Sequence, residues 1–101
     1  MAIAVSIMNE KYEIISDIEE IETNEFEKII KAAEHLNMKC LSLADYVGDT
    51  FFNEKQMLSL RQEVEILKEQ KNINQDALKI IKNAIDEGLK DVFLYLKFEG
   101  E

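Results

Sequence analysis

The chain has 101 residues, of which 47% are hydrophobic and 33% are charged, and its formal net charge is −9. This composition is too apolar for a disordered protein, and the length is sufficient for one core without metal or disulfide support. The longest apolar run falls well short of the roughly 20 residues that span a bilayer. The single cysteine, Cys40, cannot form an intramolecular disulfide, so we expect a cytoplasmic protein that makes no membrane contact.

The N-terminal residues have the period-two pattern of a β-strand. Ile3, Val5 and Ile7 alternate with smaller residues, which predicts a strand with one apolar face. Residues 9–11 are polar and form a turn. Apolar side chains from Tyr12 to Ile18 then predict a second strand, and the two strands together form a hairpin.

A helix is predicted next, with Asn24 as its N-cap and Glu27 completing a capping box. Asn37 marks its end. Its buried face recurs at helical spacing and consists of Phe26, Ile29, Ile30, Ala33 and Leu36. Residues 38–44 are mixed and apolar, which fits either a short extended piece or a buried loop.

Residues 45–53 are predicted to form the main loop, and a second helix begins at about Glu54. Asn53 is its N-cap and Gln56 is the reciprocal capping-box partner, while Phe52 and Met57 have the spacing of a hydrophobic staple. The apolar stripe of this helix is Met57, Leu60, Val64 and Leu67, flanked by Leu58 and Ile66.

The pattern breaks at Lys71 and Asn72, and a third helix is predicted after Asn74, forming a helical hairpin with the second. Gly88 is expected to be the left-handed residue that follows this helix. Residues 92–98 are apolar on both faces up to Lys97, which predicts a strand in the interior of the sheet.

This order of elements predicts one α+β domain over residues 1–101. The N-terminal hairpin and the C-terminal strand form a small, mostly antiparallel sheet, and the three helices cover one of its faces.

Candidate catalytic residues are few. His35 and Cys40 lie five positions apart, but the sequence offers neither an orienting group for the base nor an oxyanion hole, and Cys40 has the character of a small buried apolar residue. Asp45 and Asp49 flank Gly48 with Glu54 nearby, yet their spacing matches no known calcium loop. We therefore expect no enzymatic activity, no metal and no cofactor.

The acidity favours a protein partner over a nucleic acid. A net charge of −9 repels nucleic acids and anionic lipids and attracts basic proteins, and it also aids solubility. An acidic stretch without a basic residue runs from Asp17 to Glu27. It fits either a docking surface for a basic protein or a solvated connection whose glutamates favour the helix N-terminus. The acids are Asp17, Glu19, Glu20, Glu22, Glu25 and Glu27.

The main loop contains three aromatic residues, Tyr46, Phe51 and Phe52. Exposed rings are natural interface anchors, but the staple already accounts for Phe52, so Tyr46 is the better candidate. The predicted partner-binding residues are Asp17, Glu19, Glu20, Glu22, Tyr46 and Asp49.

Residues 45–56 resemble a motif of small bacterial proteins. The motif reads aspartate, proline or another residue, tyrosine, glycine, aspartate, threonine, an apolar residue, phenylalanine, asparagine, two variable residues and glutamine. Residues 95–101 resemble the C-terminal strand of the same proteins. Those proteins look like immunity proteins, which neutralise a toxin by binding it. The present chain departs from the motif by inserting Val47 beside Gly48 and by lacking proline in the loop.

Three hypotheses follow. The resemblance and the charge favour a non-catalytic, immunity-like or antitoxin-like inhibitor that binds a basic toxin. The alternative is a regulatory or adaptor protein that self-associates as a homodimer through Val64, Ile66 and Leu67. A small-metabolite enzyme or binder would instead need a pocket near Tyr46, Asp49 and Thr50.

Overall fold

The structure, a computed structural model, describes residues 1–45 and 47–100, and in them a four-stranded antiparallel sheet carries three helices. The predicted α+β class is therefore confirmed. The strands are β1 (Ala2–Met8), β2 (Ile14–Glu22), β3 (Asp49–Phe52) and β4 (Tyr95–Glu99). The helices are α1 (Thr23–His35), α2 (Glu54–Leu67) and α3 (Gln75–Gly88), and a 3-10 turn spans Leu41–Leu43. Among the described residues, no helix combines the length and the apolar character needed to cross a bilayer.

The strand order is β2-β1-β4-β3, so the first and last strands occupy the centre of the sheet. The hairpin of β1 and β2 and the interior position of the C-terminal strand are both as predicted. Val5 pairs with Phe98 and Ile7 pairs with Leu96, and these side chains are almost completely buried. They define the face of the sheet that the helices cover.

The core is built around Phe98 on that covered face. Its ring centroid lies 5.1 Å from that of Phe26 in α1 and 5.8 Å from that of Phe52 in β3. Complete burial of a large apolar side chain contributes about 1.5–3 kcal/mol. Three segments that are distant in the sequence are therefore joined by one aromatic cluster.

The prediction that residues 45–53 are a loop is wrong for its second half, because β3 pairs with β4 and becomes the edge of the sheet. Phe52 enters the core while Phe51 faces away from it. Four residues are too few to produce a clear period-two pattern, and the neighbouring glycine and aspartates favoured a turn.

The predicted start of the first helix is also wrong. β2 continues past Ile18 to Glu22, since Ile21 is buried opposite Ile3, and α1 begins at Thr23 without an intervening loop. Glu22 occupies the N-cap position and no side chain caps the helix, so Asn24 and Glu27 form no capping box.

Three other helix ends match their predictions. Asn37 adopts a left-handed φ of 57°, its N–H donates to the Glu34 carbonyl, and the Met38 N–H donates to Ala33, as in a Schellman motif. The N-H groups of Asn53 and Gln56 each donate to the other's side-chain oxygen, at 2.9 and 3.0 Å, which completes the α2 capping box.

Asn74 caps α3, since its side-chain oxygen accepts a hydrogen bond from the Ala77 N–H at 2.9 Å. Gly88, however, is the last residue of α3 and has no positive φ, contrary to the prediction of a left-handed residue. A Cβ at this position would overlap the sulfur of Met57 in α2 and would lie 3.4 Å from Ile7 Cδ1. Glycine is used here for close packing between α2, α3 and β1.

The last strand is shorter than predicted. Val92 and Phe93 are exposed in the turn that follows α3, where the Phe93 N–H donates to the Asp91 carboxylate at 3.3 Å. The apolar run therefore includes both a turn and a strand, and β4 begins only at Tyr95.

Residues 38–44 form a partly buried turn instead of an extended piece, and Glu63 of α2 fixes it. One oxygen of this buried carboxylate accepts the Leu41 N–H at 2.8 Å and the other accepts the Cys40 N–H at 3.1 Å. The bonds satisfy backbone donors at the start of the 3-10 turn, and they compensate the cost of burying the carboxylate.

Candidate functional site

One face of the sheet has no helix on it, and we call it the open face. Alternation along each strand and the register between strands assign its residues, because side chains opposite each other in a ladder share a face. The open face comprises Ala2, Ala4, Ser6 and Met8 of β1, Ile14, Asp17, Glu20 and Glu22 of β2, Asp49 and Phe51 of β3, and Tyr95, Lys97 and Glu99 of β4.

Acidic side chains dominate the half of the open face that lies farthest from the β1–β2 turn. One row across all four strands reads Glu20, Ala4, Glu99 and Asp49. With strands spaced about 4.8 Å apart, this row extends roughly 14 Å. Ala4, the one uncharged residue of the row, separates Glu20 from Glu99 and Asp49.

Lys97 is the single basic residue of the open face and is already neutralised. Its Nζ lies 2.9 Å from the Glu99 carboxylate, 3.9 Å from that of Asp49 and 5.7 Å from the centroid of the Phe51 ring. Asp17, Glu20 and Glu22 have no ion-pair partner within residues 1–45 and 47–100. The negative charge of the face is therefore largely uncompensated.

The fold brings together four of the six predicted partner-binding residues. Asp17, Glu20 and Glu22 on β2 share the open face with Asp49 on β3, although the sequence placed Asp49 in a separate loop. The first four acids of the stretch therefore lie in a strand and not in a solvated connection.

Of the other two predicted residues, Glu19 is not on the open face. Glu19 pairs with Val5 beside a register shift, which places it on the covered side at the exposed edge of the sheet. Tyr46 lies outside the described residues. Farther along the acidic stretch, Glu25 and Glu27 belong to α1, where they pair with lysines of the same helix.

The opposite end of the open face is aromatic. A pocket of about 350 Å³ lies there beside the β1–β2 turn, and we call it the aromatic pocket. It is lined by Met8, Asn9, Glu10, Tyr12, Phe51 and Tyr95. Sequence reasoning singled out Phe51 as part of the aromatic loop but missed Tyr12 and Tyr95, because only the register of the finished sheet brings the three rings together.

The two candidate catalytic residues differ in environment. His35 is exposed in the last turn of α1, whereas Cys40 is buried. Burial raises the pKa of the Cys40 thiol, the nearby Glu63 carboxylate raises it further, and a hydrogen bond with Ser59 opposes the change. A thiol held in its protonated form is a poor nucleophile.

The candidate metal ligands have other partners. The Asp45 carboxylate accepts the Val47 N–H at 2.8 Å, and Asp49 lies beside Lys97. In the part of the chain that the structure describes, no group of three or more histidine, cysteine, aspartate or glutamate residues is positioned to hold a metal ion.

The stripe proposed for self-association contributes mostly to the core. Val64 and Leu67 are buried, and Ile66 is the one member of that trio that remains exposed on α2.

The two segments that resemble immunity proteins are neighbours in the sheet. β3 and β4 pair directly, and beyond them the Gly100 N–H donates to the Gly48 carbonyl at 2.9 Å. Thr50 Oγ1 accepts the Asp45 N–H at 3.0 Å, so much of the motif shapes the turn that leads into β3. Asp49 and Phe51, in contrast, present their side chains on the open face.

Three comparisons with known proteins find nothing similar to this chain. No protein-family model matches the chain. Searches of curated proteins and of solved structures also find no match.

Proposed function

We propose that this chain is a non-catalytic binding protein whose open face docks onto a basic protein, in the manner of an immunity protein that inhibits a toxin. The observation that carries the proposal is the uncompensated acidity of a sheet face left uncovered by the three helices. A complementary basic surface is attracted by this potential and excludes other acidic proteins.

The type of partner is supported by the resemblance of residues 45–56 and 95–101 to immunity proteins. A basic nuclease is a fitting target, since carboxylates spaced along a sheet can occupy positions that phosphates take in its substrate. The reducing cytosol is the compartment that suits the proposal, because the single cysteine is a buried thiol.

Inhibition by docking requires no reaction on the chain itself. The open face need only cover or distort the toxin's active site, and its affinity depends on well-packed anchors within an acidic surround. The aromatic pocket and the acidic row supply those two parts on the same side of the sheet.

Affinity capture with three tagged baits tests the proposal. The wild-type chain is compared with Asp17→Lys/Glu20→Lys on the open face and with a matched control, Glu34→Lys/Glu69→Lys, at exposed positions outside the sheet. Both variants change the net charge by the same amount. We expect a basic protein to be captured by the wild type and the control and to be lost with the open-face variant.

The captured protein is then purified and expressed in cells with and without the chain. An immunity protein suppresses its toxicity at a one-to-one ratio, and the open-face variant fails to do so. Equal capture by all three baits would contradict the docking face, and recovery of no basic protein would contradict the proposed function.

A further inference from the structure

The aromatic pocket is large enough to admit one side chain of a partner. Its volume of about 350 Å³ lies at the lower end of the range of roughly 300–1,000 Å³ that small-molecule sites occupy. It opens onto the open face and therefore faces the docked partner.

The pocket contains aromatic surface that the fold leaves unburied. Tyr12 is 79% exposed, Phe51 is 44% exposed and Tyr95 is 36% exposed. Exposed aromatic rings that converge on one concavity are unusual on a monomer of this size and are enriched where proteins bind each other.

The backbone at Tyr12 gives an independent reason to regard this ring as functional. Its φ is 65°, a left-handed conformation that is unfavourable for a bulky aromatic residue and favours glycine or asparagine. A tyrosine in this conformation, with its ring in solvent, contributes little to folding.

The turn that holds Tyr12 is ordered by hydrogen bonds to and from Asn9. The Asn9 side-chain oxygen accepts the N–H groups of Lys11 and Glu13 at 2.9 and 3.0 Å, and its amide donates to the Glu13 carboxylate at 3.0 Å. The Tyr12 N–H donates to the Asn9 carbonyl at 3.0 Å. The backbone that carries the ring is therefore ordered before any partner arrives, which lowers the entropy cost of binding.

The chemistry of the lining favours a cation. Aromatic faces attract cations, and Phe51 already has the Lys97 ammonium 5.7 Å from its centroid. Glu10 also lines the pocket, and its carboxylate has no ion-pair partner in the described chain. The rings can stack on a bound cation, and the free carboxylate can pair with its charge.

A guanidinium fits this combination better than an ammonium does. It is planar, weakly hydrated and able to stack on rings, and its N–H groups bind a carboxylate in a forked geometry. We infer that the aromatic pocket binds the guanidinium group of an arginine side chain, which the basic partner presents; the inference rests on the proposed function for the source of that arginine.

Nuclear magnetic resonance titration with N-acetyl-arginine amide tests the inference on the isolated chain. N-acetyl-citrulline amide is the control probe, because it has nearly the same shape but no charge. We expect the arginine probe to shift the ring resonances of Tyr12, Phe51 and Tyr95 in a saturable manner, and the citrulline probe to bind far more weakly. The buried Phe26 ring serves as an internal control that should not respond.

Three variants connect the signal to the pocket. Tyr12→Gly removes one ring while relieving the left-handed backbone, so the fold survives, and it should weaken arginine binding roughly two- to fivefold. Tyr12→Phe keeps the ring and should bind nearly as the wild type does. Glu10→Gln should weaken arginine binding and leave citrulline binding unchanged.

Equal binding of the two probes would overturn the cationic assignment, and binding that survives Tyr12→Gly undiminished would overturn the location. These failures differ from failure of the proposed function. If the open-face variant still loses a basic partner while the arginine probe does not bind, the inference fails and the proposed function is supported. If the probe binds as described but no basic protein is captured, the pocket's chemistry is supported and the proposed function fails.

Discussion

Among single residues, Glu63 joins segments that are more than twenty positions apart. Its carboxylate accepts two backbone N–H groups from the 3-10 turn and is buried against the Cys40 region. Hydrogen bonds to an ionised acceptor are about twice as strong as neutral ones, whereas a buried donor without a partner is costly. The turn that leads toward β3 is therefore tied to α2 through one side chain.

Glu63→Gln should lower the free energy of unfolding by about 1–3 kcal/mol, because the amide can accept one of the two N–H groups while its own N–H₂ opposes the other. Urea unfolding followed by circular dichroism measures the change. Glu65→Gln, at an exposed position of the same helix, is the control and should cost less than about 0.5 kcal/mol. Equal effects of the two substitutions would show that the carboxylate contributes nothing to the turn.

The Cys40 thiol makes the stability of the fold depend on pH in the alkaline range. Its folded pKa is raised above the ordinary value of 9.0 by burial and by Glu63. Below that ordinary value both states hold the proton and the thiol's contribution is fully present. As the pH rises past it, the unfolded chain releases the proton while the folded chain retains it, so stability falls until the pH passes the folded pKa.

Cys40→Ala should therefore lose less stability than the wild type as the pH rises above about 9. The measurement is the unfolding free energy of both proteins at several pH values, because the comparison isolates the effect of the thiol. Parallel pH curves for the two proteins would contradict a raised thiol pKa.

Among the elements, α3 approaches α2 and β1 closely at its C-terminal end. Gly88 provides this close approach, since a Cβ there would overlap the Met57 sulfur and approach Ile7. Glycine inside a helix costs about 0.5–1 kcal/mol relative to alanine, so its presence reflects the packing gained across the three elements.

Gly88→Ala should destabilise the protein by about 1–3 kcal/mol despite the better helix propensity of alanine, because the added methyl overpacks the contact. Thermal unfolding measures the loss. In a Met57→Val background the sulfur is absent, and the same change should cost about 1 kcal/mol less. An undiminished cost in that background would locate the clash elsewhere.

The sequence predicts elements well where their signals are local. Alternation identified β1, and the asparagines at positions 53 and 74 identified two helix starts, because a capping side chain bonds within its own turn. The sequence-based predictions failed where contacts with residues distant in the sequence determine the structure. β3 exists because β4 offers a ladder, and β2 extends to Glu22 because Ile21 is buried opposite Ile3. Gly88 was predicted to be left-handed because its contact with Met57 cannot be recognised from the neighbouring residues in the sequence.

The candidate site shows the same division. Composition identified the acids of β2, but it could not place Asp49 and Glu99 on the same face, which follows from the register of two other strands. Tyr12 and Tyr95 are ordinary strand and turn residues in the sequence. The aromatic pocket forms only when the N-terminal turn and the two C-terminal strands meet at one end of the sheet.

For the molecule as a whole, charge is distributed unevenly relative to the fold. The net charge is −9, and the helices carry ion pairs within their own surfaces while most acids of the open face have no cation beside them. The negative potential of the open face raises the association rate with a basic partner more than it lengthens the lifetime of the complex.

The association rate with the basic partner should therefore fall by about tenfold or more between low and high ionic strength, while the dissociation rate changes little. Surface plasmon resonance at several salt concentrations separates the two rates. Asp17→Lys/Glu20→Lys should reduce the salt dependence of the association rate. Glu34→Lys/Glu69→Lys should reduce it less. A salt effect confined to dissociation would argue against steering by the open face.

The adjacency of β1 and β4 has a mechanical consequence. Because the two strands are antiparallel neighbours, force applied to the two ends of the chain loads their hydrogen bonds one at a time from the Ala4–Glu99 end, as in opening a zip. Resistance to pulling should therefore be low even if thermodynamic stability is high. A processive unfoldase that grips the C-terminal residues would extract β4 first, which detaches β3 and dismantles the acidic row and the aromatic pocket in one step.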